Sequence, residues 1–494
     1  MSTRETGLGP DGLRGLVASG PVHFMGAGGA GMCALAEAVA RAGGTVTACD
    51  RNPGSAVRAL EALGVTVLGG HDPSHVEGIA GLVVTAAVAE SHPELRRARE
   101  LGIPVVKRAA ALGSWVSAGR VAAVAGTHGK TTTTALLTAI LEAADMDPTG
   151  FVGGEVATWK SNLRPGRDDL FVVEADEYDR SFHHLNPDVT VVTNMEADHL
   201  DIYGDMEGVR HAFHRYLEGV RPGGSVWACA DDPGAASLLA SVRGEVSGHA
   251  YGFSAGAELR GERPVFEGGL STMRVRELGV SRGRLRLHIP GMHNLRNALG
   301  AAAAARSMGV EWDAIRKGLA GFSGVRRRFQ RLGEASGVQV VDDYAHHPTE
   351  VEAALLAARA SAPGARLVAV FQPHLYTRTR DFHQAFGRAL AAADVVWITA
   401  IYPAREEPLP GVDAAMVVRA TRAAGPSEVH VHDDVGTLPG AVAATLRPGD
   451  LCLTMGAGSI EGVGERILAL LREAAPGEAS DGSRHGTPGE REHA

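Results

Sequence analysis

Short apolar runs recur along the chain. Several are followed by a stretch with apolar residues three and four positions apart, and two of them, 21–25 and 121–125, run first into a glycine loop. This alternation of strand and helix periods predicts βαβ units and parallel sheets. In the N-terminal block PVHFM (21–25) reads as a strand, MCALAEAVARAG (32–43) as a helix and TVTAC (45–49) as the next strand, with further strand signals at 82–85 and 104–106. A second block opens with the apolar run VAAVA (121–125) and the helical spacing of TALLTAILEAA (134–144). It continues with strands at 169–176, 189–194 and 225–229 and a helix at 206–219. Between 272 and 290 the period changes. Arg274, Arg276, Arg284, Arg286 and His288 alternate with apolar residues, which predicts a half-exposed antiparallel hairpin turning at SRG (281–283). Helices are expected at 293–307 and from Trp312. The third block repeats the strand–helix alternation, with strands at 338–343, 366–371, 395–400 and 451–456 and helices at 348–360 and 382–393.

The pattern therefore predicts an α/β chain of three domains, at 1–119, 120–324 and 325–474. The first and third are Rossmann-like, and the central one is a P-loop-type ATPase α/β domain with an antiparallel hairpin. The stretch 475–494, rich in Gly, Ser and charge, is expected to be a disordered tail. A length of 494 residues suits about three domains, each able to bury a core. A net charge of −9 argues against nucleic acid or an anionic membrane as partner. No run approaches the roughly 18 apolar residues of a membrane span. The first residues lack the apolar core of a signal peptide, so a cytoplasmic protein is expected, monomeric or homodimeric. Cys33, Cys49, Cys229 and Cys452 are far apart and match no metal-binding spacing, which favours reduced thiols.

The chemistry concentrates at strand ends. GTHGKTTT (126–133) joins the strand 121–125 to a helix. Backbone N–H groups of such a loop and the helix N-terminus face a phosphate, Lys130 adds a charge, and Thr131 is placed to ligate the magnesium that accompanies ATP. The full loop pattern asks for glycine where Val124 stands. Gly126, Thr127, His128, Gly129 and Thr132 complete the candidate ATP loop. GAGGAG supplies Gly26, Gly28, Gly29 and Gly31 between a strand and a helix, with Asp50 at the end of the next strand. This spacing fits either a dinucleotide such as NAD or a pyrophosphate joined to a sugar. Glu174 ends one strand and His199 follows the next, which places both near Lys130 and Thr131 as metal ligands. Asn294 and Asn297 share a helix face and could read an adenine edge. Arg328, one of three arginines at a domain junction, is a candidate to reach the phosphates. Asp343, Tyr344, His346, His347, His374 and Arg378 stand at later strand ends.

The ordered segments HFMGAGGAGM, GTHGKTTT, EADEYDRSF, TNMEADHLD, GMHNLRNA, GVRRRFQ, DDYAHHPTE and FQPHLYTRT together resemble the Mur ligase family of cell-wall synthesis. The resemblance runs from HFMGAGGAGM to TMGAGSI, outside the first twenty residues and the tail. It implies a UDP-substrate domain, a central ATPase domain and a C-terminal domain that closes over the site. It further implies an ATP-dependent ligase that joins L-alanine to the carboxylate of UDP-N-acetylmuramate through an acyl phosphate, in peptidoglycan precursor synthesis. By that resemblance Gly26–Gly31 hold the UDP-sugar pyrophosphate, and Asp50, His71 and Thr85 lie near the uridine. Two magnesium ions are held by Thr131, Glu174 and His199. Lys130 and Arg328 act on the phosphates, Asp343 on the ribose, and Asn294 with Asn297 on the adenine. Tyr344, His346, His374 and Arg378 meet the amino-acid or muramate carboxylates, and His128 contacts the sugar acid. Tyr178, Cys33, Leu375 and Arg405 depart from the family's usual residues. No lysine lies between Lys160 and Lys317, so a carbamylated lysine is not available to the metals. Three competing readings are a ligase that recycles a tripeptide onto the same sugar nucleotide, an NAD-dependent oxidoreductase, and a nucleotide-switched binding module.

Overall fold

Three sheets, each a run of apolar strands covered by helices, carry the chain in a computed structural model that describes residues 8–9, 11–51, 54–85, 88–425 and 428–474. The proposed tail at 475–494 lies outside the described residues. The first sheet is parallel throughout: β1 (Val22–Met25), β2 (Val46–Asp50), β3 (Thr66–Gly69), β4 (Gly81–Val84) and β5 (Val105–Lys107), in the order β3-β2-β1-β4-β5. β1 and β4 are buried along their whole length, which is why they read as apolar runs, interrupted in β1 only by the buried His23. Order reverses at β1, so the carboxyl ends of β1, β2 and β4 form the crevice where such sheets bind ligands.

The second sheet has ten strands: β6 (Arg120–Ala125), β7 (Thr149–Val156), β8 (Ser161–Arg164), β9 (Leu170–Glu174), β10 (Val189–Val192), β11 (Ser225–Cys229), β12 (Ser247–Gly252), β13 (Leu259–Glu267), β14 (Leu270–Glu277) and β15 (Val280–Leu287). Their order is β15-β14-β13-β12-β11-β10-β6-β9-β7-β8. β6 lies between β9 and β10, so its carboxyl end is again the reversal point. The expected hairpin is a three-stranded antiparallel extension, and its turn is not at SRG. The chain reverses between Glu277 and Val280, at Leu278 and Gly279, while Ser281–Gly283 lie inside β15. The register slips there between Val275 and Arg276, and Gly283, with φ +92°, adopts the left-handed backbone of a bulge. The glycine that suggested a turn serves the bulge. Met273, Val275, Leu285 and Leu287 are buried, while Arg274, Arg276, Arg284 and Arg286 face solvent.

The third sheet comprises β16 (Gln330–Ala335), β17 (Val338–Asp343), β18 (Leu367–Phe371), β19 (Val395–Ile398), β20 (Glu428–Val431) and β21 (Leu451–Met455), in the order β16-β17-β21-β18-β19-β20. A continuous apolar core runs from Leu13 and Phe24 under the first sheet to Leu136, Phe171 and Leu299 under the second. The third sheet has its own core around Val340, Val370, Ile460 and Ile467. The chain divides accordingly into two units. One runs through Gln330 and includes Thr349–Gly364; the other is Arg331–Pro348 with the residues from Ala365 onward. Among the described residues no helix is long and apolar enough to cross a membrane.

Candidate functional site

The lysine loop follows β6 and opens helix α1 (Lys130–Ala143). Two glycines shape it. Gly129 takes φ +81°, and a methyl group there would stand 2.5 Å from Asn297 Oδ1. At Gly126, φ +135°, a methyl would stand 2.0 Å from Thr193 Oγ1. Four buried threonines in succession, Thr131–Thr134, are unusual in a helix. Thr134 and Thr138 satisfy their hydroxyls by donating to carbonyls one turn back, Lys130 O and Thr134 O, both at 2.8 Å.

Lys130 Nζ donates to Gly126 O at 2.7 Å and Thr127 O at 3.1 Å, and pairs with Glu177 Oε2 at 2.7 Å. Thr131 Oγ1 donates to Glu174 Oε1 at 3.0 Å, and Gly153 N donates to Glu174 Oε2 at 2.6 Å. Arg328 reaches the same hydroxyl, Nη2 to Thr131 Oγ1 at 3.4 Å, and lies 3.8 Å from Glu350. His199 Nε2 stands 3.8 Å from Glu177 and from Asp198. Glu174 and His199 are thus both brought to the lysine loop, but Glu177 forms the link to Lys130. Glu177 was not singled out in the sequence; the four carboxylates of EADEYDR look alike until the fold brings Glu177 to Lys130. Tyr178 sets its ring edge-on to His199 at 5.1 Å. His199 itself, φ +52°, and Arg327, φ +58°, hold backbone conformations that side chains disfavour.

Electrostatics follow from burial. Burial pushes Glu177 up to about 7 against the opposing pull of Lys130, and pushes Glu174 up as well. Burial alone would lower Lys130, but Glu177, Asp176 and Glu174 carry it above its ordinary range. The cradle is therefore a cation among carboxylates in a low-dielectric recess. His128 Nδ1 lies 3.1 Å from Glu350, and its Nε2 lies 3.7 Å from Glu196. Burial lowers its pKa, yet the two carboxylates outweigh that and raise it from 6.5 to about 9. The charged ring thus contributes stability fully below pH 6.5, and this is lost as pH rises through 9. The urea midpoint of the wild type should fall between pH 6.5 and 9 by more than that of His128→Gln, for which the His128 contribution is gone. Equal slopes would remove the assignment.

Asn294 and Asn297 lie on α2 (Met292–Ser307), both buried. Asn294 Nδ2 donates to Pro290 O at 2.7 Å, and Asn297 Nδ2 donates to Asn294 Oδ1 at 3.3 Å. Asn297 thereby supports the back of Gly129. Burial lowers the adjacent His293 to about 4, so this ring is neutral.

In the first sheet Gly26–Gly31 lead into the helix Ala30–Arg41. Gly28 N donates to Asp50 Oδ2 at 2.8 Å, so Asp50 braces the loop. Thr85 Cγ2 stands 3.2 Å from where a methyl on Gly26 would be. Arg108, at the start of the helix Arg108–Val116, comes within 2.9 Å of the corresponding position on Gly31. It is a second missed residue: a lone arginine after an edge strand carries no motif. His71 turns Nδ1 toward Cys49 Sγ at 3.5 Å and Glu94 at 3.4 Å.

The second unit gathers its own cluster. Asp343 Oδ1 accepts from Ala345 N at 2.8 Å. His346 Nδ1 lies 2.9 Å from Tyr344 O, and its ring meets His374 at 5.6 Å. Arg378, buried, approaches His374 Nδ1 at 3.4 Å. Leu375, next in the chain to His374, takes φ +67°, a strained conformation for a side chain.

The chain belongs to the Mur ligases. Residues 21–120 match the family's catalytic-domain model, 124–305 its middle domain and 327–458 its glutamate ligase domain. The particular relatives are full-length. A UDP-N-acetylmuramate–L-alanine ligase of Kineococcus radiotolerans is 45% identical over 475 residues, covering 95% of this chain and all of that protein. Another of the same name from Streptomyces coelicolor is 43% identical, covering 91% and 97%. Among solved structures, the UDP-N-acetylmuramate–alanine ligase of Thermotoga maritima aligns with a TM-score of 0.78 at 26% identity over 92% of this chain and 99% of that one. A murein peptide ligase of Psychrobacter arcticus aligns at 0.68 and 25%, with the same coverage. The fold is the family's three-domain α/β architecture.

Proposed function

We propose that this chain is an ATP-dependent ligase that joins L-alanine to the lactyl carboxylate of UDP-N-acetylmuramate, giving ADP and phosphate in peptidoglycan precursor synthesis. The observation that carries the reading is the convergence of Lys130, Thr131, Glu174, Glu177 and Arg328 on one glycine loop. Full-length relatives of that name support the substrate pair. The lobes are those bounded near 119 and 324, and the reaction runs in the cytoplasm, where ATP is abundant.

A carboxylate is a poor acyl donor because oxide would have to leave. The sugar acid's carboxylate attacks the γ-phosphorus, the bond to the β–γ bridging oxygen breaks, and ADP departs. The amine of alanine then attacks the carbonyl of the acyl phosphate, loses a proton, and the tetrahedral adduct collapses to an amide and phosphate. The protein positions anions and neutralises charge. Lys130 turns from Glu177 toward the β- and γ-phosphates, and Arg328 approaches from the far side of Thr131. Gly26–Gly31 and Arg108 hold the sugar-nucleotide pyrophosphate, with Asp50, His71 and Thr85 toward the uridine. Asp343 holds the ribose, while His346, His374, Arg378 and Tyr344 meet the carboxylate of alanine. The oxygen donors Thr131 and Glu174, 3.0 Å apart and aimed together, fit a magnesium ion, and His199 beside Glu177 fits a second. Magnesium supplies charge neutralisation that lets carboxylate and triphosphate approach one another.

ADP release should require UDP-N-acetylmuramate and rise further with L-alanine. Hydrolysis indifferent to both overturns the reading, and replacement of L-alanine by a tripeptide with equal rate moves it to the peptide-recycling ligase. Arg108→Ala should raise KM for the sugar nucleotide at least ~10-fold with kcat little changed. A lost hydrogen bond to a charged group is worth ~1.5–3 kcal/mol, and 1.4 kcal/mol is about tenfold. Steady-state kinetics with the sugar nucleotide varied give that split directly.

A further inference from the structure

The first sheet contains a second constellation, on residues that the ligase reading does not use. His23, Cys49, His75 and Glu94 each present one donor atom, and all four atoms lie within 4.8 Å of one another. His23, Cys49 and Glu94 are buried. The separate edges are short: His23 Nε2 to Cys49 Sγ 3.2 Å, His75 Nδ1 to Glu94 Oε1 3.1 Å, and Cys49 Sγ to the same Glu94 Oε1 3.8 Å. A tetrahedral zinc site with bonds of about 2.0–2.3 Å has ligand–ligand edges of about 3.3–3.7 Å. These three edges lie within a few tenths of an ångström of that range, and the remaining ones are no longer than 4.8 Å.

The surroundings are those of a metal shell. His23 Nδ1 bonds Thr47 Oγ1 at 2.8 Å, which turns Nε2 inward. Asp72 N donates to Glu94 Oε1 at 2.9 Å and fixes the carboxylate. His71, 3.5 Å from Cys49 Sγ, forms an outer wall. Without a metal Cys49 is a thiol that donates to Glu94, in an apolar setting that includes Val76, Leu82 and Leu95. A divalent cation would balance the thiolate and carboxylate that bind it, whereas a thiolate without one is costly there. Sequence spacing hides the set. His23 and Cys49 meet because β1 and β2 pair with His23 opposite Thr47, two residues before Cys49 on the same face.

We propose that His23, Cys49, His75 and Glu94 form a structural site for a zinc-class divalent cation at the base of the sugar-nucleotide lobe. Binding exchanges the thiol proton for a sulfur–metal bond and releases that proton to solvent. The site bears on the glycine loop through Cys49, whose carbonyl accepts from Gly26 N at 2.9 Å and Ala27 N at 3.1 Å. It stands independently of the ligase assignment.

The test is cobalt titration of the full chain after chelator treatment, in magnesium-free buffer. One equivalent should produce a near-ultraviolet thiolate-to-cobalt charge-transfer band and the intense visible bands of a tetrahedral site. Cobalt at Thr131 and Glu174 meets only oxygen and gives no such band. Cys229→Ser should keep the band and Cys49→Ser should lose it. His75→Asn should weaken binding by at least the ~10-fold that loss of an outer-shell partner costs. Zinc should raise the melting temperature of the wild type. A folded wild type without the thiolate band, or a band that survives Cys49→Ser, overturns the proposal. The wild-type spectrum decides the matter even where Cys49→Ser does not fold.

Discussion

Replacing Lys130 by alanine should lower kcat for ADP release by roughly 150-fold or more. Loss of one preorganised donor to developing charge costs ~3 kcal/mol or more, and 1.36 kcal/mol is a factor of ten. The geometry makes the loss larger in rate than in stability. Lys130 pairs with Glu177 in a buried recess, and stripping a partner from a buried pair ordinarily costs several kcal/mol. Here the burial of Glu177 already holds it at about 7, so the orphaned carboxyl takes up a proton instead of remaining an unpaired anion. Lys130→Ala should therefore stay folded near pH 6 and lose stability more steeply than the wild type as pH rises, since its Glu177 titrates without a counter-charge. Glu177→Gln added to Lys130→Ala should remove that pH dependence without restoring turnover. Near-normal turnover by Lys130→Ala would contradict the assignment.

Gly129→Ala should weaken ATP binding by ~10-fold or more while leaving both sheets folded. A side chain at φ +81° costs ~1–2 kcal/mol from backbone strain alone. The added methyl would also stand 2.5 Å from Asn297 Oδ1, and the Asn297 side chain is held in place by its Nδ2, which donates to Asn294 inside α2. Either Asn297 rotates, or the loop lifts and its N–H groups leave the phosphates. Adding Asn297→Ala removes the obstruction, so the double variant should recover melting temperature but not affinity, because the strained φ remains. Titration of ATP with the two single variants and the double one measures the coupling. Independent effects that simply add would mean that Gly129 and Asn297 do not touch.

Where a residue sits at the end of a buried strand, its place was legible from the sequence. Gly26, Gly129, Lys130, Glu174 and His199 all follow apolar runs whose carboxyl ends meet at a reversal of strand order. Errors arose where burial and polarity part company. The helix expected at 382–393 begins at Tyr376 and ends at Leu390, because its first turns bury Arg378 and Thr379, and these break the apolar period. β16 and β20 escaped notice because both are half-exposed edge strands with polar residues. β7 carries three glycines, one of which, Gly153, leaves room for the carboxylate of Glu174.

Taken alone, the sequence settled the α/β class, the two glycine loops, the lysine and its threonine, and the family. Each of these is written in contiguous residues, since a phosphate cradle is built by the backbone of a single turn. Tertiary structure alone decided which carboxylate faces Lys130, that Asn297 braces Gly129, that Arg108 covers Gly31, and that four donors from separate segments share one point in the first sheet. Such pairings depend on strand register and side-chain direction, and those are set only when distant parts of the chain pack against each other.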